Sequence, residues 1–128
     1  MGDKAAREMV EDYAQRLQHY CEFRLLPVRA EKVLDTHPRA YKVLLDAGGR
    51  QLSTAEFSAL IQQAEQGPTR ELLFFVGGPD GISPLVRQKG DLLLALSRLT
   101  LPHQLARVIL AEQIYRAFTI LRGHPYAR

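Results

Sequence analysis

The stretch that decides the fold of this 128-residue chain is ELLFFVGGPDG, residues 71–81. Five of its first six residues are apolar. A short apolar run bounded by turn residues is typical of a strand buried on both faces of a sheet. The glycines after Val76 then turn the chain toward Ser83 and Pro84, where an N-cap residue and an N1 proline predict a short helix. A buried strand that leads through a turn into a helix indicates an α/β domain.

The rest of the chain continues this alternation of strands and helices. Further strands are predicted at Glu22–Val28, at Tyr41–Asp46 (closed by Gly48 and Gly49) and at Asp91–Leu96. Helices are predicted at residues 3–19, as a short turn at Glu31–Asp35, from the capping box of Ser53 and Glu56 to Gln66, and from about Pro102 to Leu121 with Gly123 ending it. We therefore expect one α/β domain over residues 1–128 with a mainly parallel sheet.

Composition narrows the class of protein. The chain is 46% hydrophobic, yet no apolar run is long enough for a membrane span, and the first residues lack the apolar stretch of a secretory signal. We expect a cytoplasmic protein. Cys21 is the only cysteine, and no cysteine or histidine cluster has metal-ligand spacing, so neither a disulfide nor a metal site is expected.

The net charge of +3 is unevenly distributed. Residues 1–68 hold nine Lys/Arg and ten Asp/Glu, whereas residues 69–128 hold eight Lys/Arg and four Asp/Glu. Seven of those eight cations are arginines, whose planar guanidinium suits phosphates and bases. A basic C-terminal half favours a polyanionic partner such as RNA, although many small domains are mildly basic without one.

Two loops are candidates for ligand binding because each follows a predicted buried strand. In open α/β sheets ligands bind beyond the carboxyl ends of the strands, which is where Gly77–Gly81 and Leu96–Leu101 lie. Together the two loops would enclose a flat, partly apolar ligand such as an adenine ring. An ordinary strand-to-helix turn explains the same glycines. Their spacing matches neither the dinucleotide fingerprint nor a Walker loop.

The last predicted helix and the tail carry polar groups that a purely structural helix does not need. Glu112 and Arg116 are four residues apart in the favourable order, on a face that they share with Leu105, Val108 and Ile109 and that is predicted to be buried. They form either a structural ion pair or part of a site. His103 at the helix start and the proline-stiffened ending His124–Arg128 are open to the same two interpretations.

Taken together, these residues closely resemble the RlmH family, SPOUT-class methyltransferases that act on large-subunit ribosomal RNA. The resemblance is nearly continuous over residues 71–128 and looser over Tyr13–Pro27 and Leu44–Phe57. It rests on FVGGPDG at 75–81, LSRLTLPHQ at 96–104, Arg107, AEQIYRA at 111–117 and HPY at 124–126.

The resemblance implies a homodimer whose segment 71–128 threads into a trefoil knot, a rare exception to unknotted topology. It also implies S-adenosylmethionine as methyl donor and N3 of a pseudouridine in 23S ribosomal RNA as acceptor. By position, the residues implied for the cofactor are Leu45, Gly77, Leu96, Ser97, Arg98, Leu99, Thr100 and Leu101. Our own hypothesis is that the residues around the acceptor are His103, Glu112, Tyr126 and Arg128. We expect the residues toward RNA to be Arg107, Arg116, Arg122 and His124, with Arg107 and Arg116 either on phosphates or fixing Glu112.

The chain also departs from the family pattern. Family members open with an apolar strand that ends in a Gly-Lys loop, whereas this chain begins at the helix that follows. The connection from Arg29 to Ala40 lacks a helical stretch found in the family. A missing N-terminal strand would leave a sheet edge open. It motivates the alternative of a weakened homologue that binds RNA or cofactor without turnover. A nicotinamide-dependent oxidoreductase is a third and weaker alternative, because the glycine spacing is wrong.

Overall fold

The computed structural model describes residues 2–26, 30–68, 71–78 and 80–127. Within these residues the chain forms a three-stranded parallel sheet with helices on both faces. The strands are β1 (Tyr41–Gln51), β2 (Leu72–Val76) and β3 (Leu92–Ala95), in the order β2-β1-β3. The helices are α1 (Gly2–Leu17), α2 (Ala30–Thr36), α3 (Thr54–Gln66), α4 (Pro84–Arg87) and α5 (His103–Leu121), and a 3₁₀ turn covers Pro125–Ala127. The predicted α/β class and parallel sheet are confirmed.

The alternation of side chains along each strand explains the two helical layers. Successive residues of a strand point to opposite faces of the sheet. Phe74, Val43 and Leu94 belong to the larger core, which they share with α1, α3 and α5. Leu44 and its neighbours Phe75 and Leu93 belong to a second core, which α2 and α4 cover. Consecutive apolar residues, as in Val43–Leu45 and Leu92–Ala95, fit a sheet whose two faces are both covered.

Several local predictions are confirmed. Ser53 caps α3, accepting a hydrogen bond from the Glu56 backbone N–H while the Glu56 carboxylate accepts one from the Ser53 N–H. Ser83 caps α4 with Pro84 in the first turn. Gly123 follows α5 with a φ of +71°, a conformation that costs glycine little.

Two strand predictions are wrong. Glu22–Leu26 forms no strand, and the end of the predicted strand, from Pro27 to Val28, lies outside the described residues. An extended segment becomes a strand only by pairing, and a cavity separates this segment from β2. Gly48 and Gly49 do not close β1, which continues to Gln51. Instead, a Cβ on Gly49 would lie 2.7 Å from the Leu93 backbone, so glycine here permits a close approach of β1 to β3.

Burial differs from expectation at two further places. All five residues of β2 are only half-buried, although the sequence predicts a strand covered on both faces. The reason is that β2 lies at the edge of the sheet, with a cavity beside it. Leu105 is 51% exposed, so the predicted buried face of α5 begins at Val108 instead.

Candidate functional site

The predicted cofactor residues lie at one edge of the sheet, where the pairing of β1 with β2 ends at Leu45 and Val76. Leu45 pairs with Val76 on one side and with Leu94 on the other. Gly77 follows Val76 directly, and Leu96 lies two residues beyond Leu94. Leu45, Gly77 and the loop Leu96–Leu101 are therefore neighbours at what we call the carboxyl edge. The parallel order of the strands produces this proximity, because their C-terminal ends must meet at the same side.

Gly77 has no room for a side chain. A Cβ there would lie 2.9 Å from the Gly81 carbonyl oxygen and 3.2 Å from Ile82 Cγ1. The turn closes on itself, since the Gly81 N–H donates to the Gly78 carbonyl at 3.0 Å. At Gly78, by contrast, a Cβ would meet no atom within 4 Å. The backbone of Gly77 is thus packed directly against the turn, which leaves its neighbour open to a ligand. Pro79 lies outside the described residues.

The loop from Leu96 to Leu101 combines apolar side chains with an exposed backbone. The Leu99 N–H donates to Ser97 Oγ at 2.9 Å, which fixes a tight local turn. Leu99 itself is 76% exposed, while Leu96 and Leu101 are half-buried. Pro102 then precedes α5 and provides no side-chain cap. The loop therefore presents apolar walls and backbone groups together.

An ion pair at the carboxyl edge was not anticipated from the sequence. Asp46, which follows Leu45, accepts a hydrogen bond from the Arg87 guanidinium at 3.1 Å and another from the Gly48 N–H at 3.1 Å. It ties α4 to β1 beside the predicted cofactor residues. A carboxylate directly after the apolar run Val43–Leu45 is the signal in the sequence that points to this position.

A second group of residues surrounds Glu112, and we call Glu112, Arg116, Tyr126 and Tyr13 the tail cluster. The Glu112 carboxylate accepts hydrogen bonds from Arg116 Nε at 2.9 Å, from the Tyr126 hydroxyl at 3.0 Å and from Gln113 Nε2 at 3.1 Å. Arg116 Nη2 adds an ion-pair contact at 2.7 Å. The hydroxyls of Tyr13 and Tyr126 are 3.3 Å apart. These contacts hold the end of the chain against α1 and α5.

Tyr126 is the centre of the tail cluster. Its ring packs edge-on against Tyr115 with centroids 4.7 Å apart, and the Arg116 guanidinium lies over it at 5.4 Å. Burial, followed by the hydrogen bonds with Tyr13 and Glu112, raises the pKa of the Tyr126 hydroxyl well above its usual range. The phenol therefore stays protonated at neutral pH and serves as a hydrogen-bond donor. The sequence predicts Tyr13 only to lie within the helix at residues 3–19 and the looser part of the resemblance, and it assigns Tyr13 no role in a site.

The predicted catalytic residues do not form one cluster within this single chain. His103 and Arg107 line a cavity of about 630 Å³ that runs along β2, together with Gly77. Glu112 is nine residues further along α5, or about 13 Å along the helix axis. Tyr126 contacts Glu112 on the side that faces α1. Arg128 lies outside the described residues.

The residues predicted to face RNA differ in exposure and in the partners that their side chains already have. Arg107 is exposed at the cavity. Arg116 is bound to Glu112, and Arg122 pairs with Glu65 at 2.6 Å while lying 5.5 Å over the Phe118 ring. His124 Nδ1 accepts from the Tyr126 N–H at 3.2 Å. Two of the four arginine and histidine side chains thus already have carboxylate partners.

Neither a membrane-spanning helix nor a metal-ligand cluster occurs in the part of the chain that the structure describes. None of the helices described there is long and apolar enough to cross a membrane. Within the same residues, no group of three or more histidine, cysteine, aspartate or glutamate side chains is arranged to hold a metal ion.

Comparison with known proteins identifies the family. A family model described as "Predicted SPOUT methyltransferase" matches residues 1–127. The chain therefore belongs to the SPOUT methyltransferase family, a family of enzymes.

Curated relatives agree with the RlmH resemblance. The chain is 42% identical to the ribosomal RNA large subunit methyltransferase H of Solibacter usitatus, over 98% of this chain and 91% of the relative. It is 38% identical to the protein of the same name from Gloeobacter violaceus, over 97% of this chain and 90% of the relative. The Brucella ovis protein of that name is 49% identical over 67% of this chain and 51% of the relative. The family resemblance is thus confirmed.

Proposed function

We propose that this chain is an S-adenosylmethionine-dependent methyltransferase that modifies N3 of a pseudouridine in the 23S ribosomal RNA. The observation that carries the proposal is the convergence of Leu45, Gly77 and the loop Leu96–Leu101 at one edge of a parallel sheet. The relatives' names supply the reaction and the RNA class. The active unit we propose is one domain over residues 1–128, located in the cytoplasm with the ribosomes.

The residues at the carboxyl edge fit an adenosyl group. The absence of a Cβ at Gly77 lets the turn approach closely, and open space surrounds Gly78. Leucines 45, 96 and 101 are half-buried, as expected for walls around a flat ring. S-adenosylmethionine supplies a methyl group on a sulfonium, which a nucleophilic nitrogen displaces in line. Much of the rate then depends on how the chain positions the acceptor.

The chain's own residues would handle the proton of the acceptor nitrogen. Tyr126 keeps its proton, and Glu112 accepts hydrogen bonds from three side chains. We therefore propose that these two residues hold and orient the acceptor and that neither of them takes its proton. His103 is half-buried at the start of α5 and lines the same cavity as Gly77. A neutral imidazole has a nitrogen that can accept a proton, so we propose His103 as the general base.

A homodimer would bring the separate groups together. We propose that the tail cluster of one subunit approaches the carboxyl edge of its partner, with the knotted segment at about 71–128. Two observations support an interface there. Leu99 and Leu105 are 76% and 51% exposed beside the cofactor loop, and apolar exposure of this kind is typical of an association surface. A single chain also leaves His103 distant from Glu112.

RNA binding is assigned to the basic C-terminal half. Arg107 is the arginine best placed for a phosphate, because its side chain is exposed beside His103. Arg116 and Arg122 each have a carboxylate partner, so they would contribute mainly by fixing Glu112 and Glu65. His124 is exposed next to the tail cluster and would face the same substrate.

One alternative function has a specific observation behind it. We propose that the N-terminal strand of the family is missing from the sheet, since β2 is only half-buried along its whole length. A looser sheet favours a weakened homologue that binds cofactor or RNA without turnover. This alternative predicts cofactor binding with no methyl transfer.

One experiment separates the two functions. The full chain is incubated with S-adenosylmethionine carrying a tritiated methyl group and with ribosomes that lack the modification. We expect tritium in the 23S RNA at one pseudouridine, located by mass spectrometry of RNA fragments. Calorimetry with S-adenosylmethionine is run in parallel. Binding of S-adenosylmethionine without transfer would establish a weakened homologue that binds the cofactor. Absence of both binding and transfer would contradict the methyltransferase function.

The role of His103 is tested with two variants in the same assay. His103→Ala is expected to lower the transfer rate on the order of 100-fold, as loss of a general base does. Cofactor affinity should stay within twofold of the unmodified chain. Tyr126→Phe serves as the comparison and should lower the rate by less. Equal rates for His103→Ala and the unmodified chain would remove His103 from the mechanism.

A further inference from the structure

The central strand β1 is interrupted at the carboxyl edge by a bulge, Asp46–Gly49, which we call the β1 bulge. Leu45 and Arg50, the residues on either side of it, are both paired with Leu94 of β3. The chain therefore leaves the ladder after Leu45 and returns to it without any advance along β3. Bulges are common next to binding sites, where they redirect the side chains of a strand.

The β1 bulge lies on the strand between the two loops that we assign to the cofactor, since β1 is the middle strand of the sheet. The bulge begins directly after Leu45, whose partner Val76 immediately precedes Gly77. It ends at the residue that pairs with Leu94, shortly before Leu96. Because the bulge adjoins the ends of both neighbouring strands, its conformation affects the whole carboxyl edge.

One carboxylate holds the β1 bulge from inside and from outside. Asp46 Oδ2 accepts a hydrogen bond from the Gly48 N–H at 3.1 Å, which closes the bulge on itself. Asp46 Oδ1 accepts a hydrogen bond from Arg87 Nη2 of α4, also at 3.1 Å. The Asp46 side chain is only 17% exposed, so water screens this charged contact less than it screens a pair on the open surface.

Arg87 approaches the bulge from a helix that is itself fixed. Ser83 caps α4, and the Arg87 N–H donates to the Ser83 carbonyl at 2.9 Å. Val86, the neighbour of Arg87, is buried in the second core. The Gly77–Gly81 turn leads into this same helix. The ion pair therefore links the β1 bulge to the segment that continues the glycine turn.

A second ion pair on the same segment provides a comparison. Lys89, which follows α4, donates to Asp35 of α2 at 3.0 Å. Both pairs join the α4 segment to another element at similar distances. They differ in place, because Asp46 adjoins the predicted cofactor residue Leu45 whereas Asp35 lies on α2. The Asp35–Lys89 pair therefore controls for a purely structural effect.

We propose that Asp46 and Arg87 are positioning residues of the cofactor site, and that their ion pair fixes the β1 bulge in the conformation that receives the adenosyl group. The inference rests on the proposed function for the identity of the ligand. A loop that already has its bound conformation loses less entropy when the ligand binds, so affinity rises. Neither side chain has to touch the cofactor, and loss of either one should have the same consequence.

The first test measures the S-adenosylmethionine affinity of the full chain by calorimetry. Asp46→Asn and Arg87→Gln each remove one charge of the pair, and each should weaken affinity about fivefold, as loss of a charge-assisted hydrogen bond does. The double variant should be no weaker than either single variant, because both remove the same interaction. Arg87→Lys keeps the charge and should restore most of the affinity.

The matched control is the second ion pair. Asp35→Asn and Lys89→Gln remove charges from the same α4 segment and should leave cofactor affinity within about twofold, as expected of an exposed pair away from the site. Urea denaturation of all four single variants measures the free energy of unfolding. Similar values for the two pairs would show that a difference in affinity does not come from global stability.

A second ligand separates positioning from direct contact. S-adenosylhomocysteine has the same adenosyl group but lacks the methyl group and the positive charge on sulfur. A positioning role predicts that Asp46→Asn weakens the binding of both ligands by the same factor. Direct contact between the Asp46 carboxylate and the sulfonium predicts a greater loss for S-adenosylmethionine and no loss in Arg87→Gln. Either of these two results would overturn the proposal.

The order of the β1 bulge is measured without any cofactor, from exchange of the Gly48 amide with water followed by NMR. In Arg87→Gln this amide should exchange about fivefold faster, because the bulge opens more often when α4 no longer holds it. The Val43 amide, in the paired part of β1, is the internal reference and should not change. Lys89→Gln should leave both amides unaltered.

Two further results would contradict the proposal. The first is an unchanged exchange rate of the Gly48 amide in Arg87→Gln. The second is an equal loss of cofactor affinity from the Asp46–Arg87 and Asp35–Lys89 variants, since the effect would then come from the α4 segment as a whole. Failure of the unmodified chain to bind S-adenosylmethionine would contradict the proposed function instead. The Gly48 exchange rate would still decide whether the ion pair orders the bulge.

Discussion

The two ends of α5 differ in how their side chains are used. In the C-terminal half Tyr115, Ala117 and Phe118 are buried, and Glu112 is surrounded by hydrogen-bond donors. In the first turns Leu105 is half exposed, and His103 and Arg107 border an open groove. One helix therefore packs into the core at its C-terminal half, the anchored end, and presents side chains to a ligand in its first turns, the open end. The anchored end should govern stability, and the open end should govern binding.

The sharpest test of the anchored end is Phe118→Ala. Phe118 is 4% exposed and stacks on Tyr20 with centroids 5.7 Å apart. Its truncation leaves a cavity, so we expect a loss of about 3–5 kcal/mol in the free energy of unfolding. Leu105→Ala at the open end should change it by no more than about 0.5 kcal/mol. Urea denaturation of both variants measures the free energy of unfolding. Equal losses of this free energy would contradict the statement that the anchored end governs stability.

The carboxyl edge, next to the open end, is tested with two glycines of one turn. Gly77→Ala places a Cβ 2.9 Å from the Gly81 carbonyl, so the turn must shift. We expect S-adenosylmethionine affinity to fall by tenfold or more, equivalent to about 1.4 kcal/mol for each factor of ten. Gly78→Ala has free space and is the matched control. Calorimetry measures both, and an equal fall in the two variants would show that the turn tolerates no side chain at either position.

The tail cluster gives a smaller effect with a distinctive pH dependence. Tyr126→Phe keeps the ring against Tyr115 but removes the hydroxyl from Glu112, at a cost of about 1 kcal/mol near pH 8. The pKa of this hydroxyl is raised in the folded chain. Its stabilising effect is therefore complete below the unfolded pKa of about 10 and declines as pH rises above it.

The measurement is the difference in unfolding free energy between the unmodified chain and Tyr126→Phe. This difference should narrow as pH is raised above about 10, because unfolding then releases the Tyr126 proton. Tyr41→Phe, at a residue whose side chain is exposed at the sheet, is the matched control and should show no such narrowing. A constant difference for Tyr126→Phe would contradict the raised pKa.

The smallest expected effect concerns RNA. Arg107→Ala at the open end should weaken binding to a ribosomal RNA fragment by less than tenfold and reduce the salt slope of log K by about one, as loss of one phosphate contact does. Arg122→Ala, whose guanidinium is already paired with Glu65, should leave the slope unchanged. Filter binding over a range of salt concentrations measures both slopes. A larger change for Arg122 than for Arg107 would reverse the assignment.

Sequence patterns predicted the elements whose signals are local. The capping box at Ser53 and Glu56, the proline start of α4 and the glycine end of α5 depend on a few neighbouring residues, and all three are confirmed. The parallel sheet followed from apolar strands that alternate with helices. The strand prediction failed over Glu22–Leu26, because β propensity describes a segment and pairing requires a neighbour at the right distance.

The sequence by itself determined the class of fold, the family and the types of side chain at the carboxyl edge, because these three depend on local patterns and motifs. The tertiary structure alone decided which groups meet. It placed Tyr13 of α1 beside Tyr126 at the other end of the chain, gave Glu112 its donors, and left the edge of β2 facing a groove. The physical reason is that hydrogen bonds and burial between distant residues depend on how the elements pack, which no short stretch of sequence encodes.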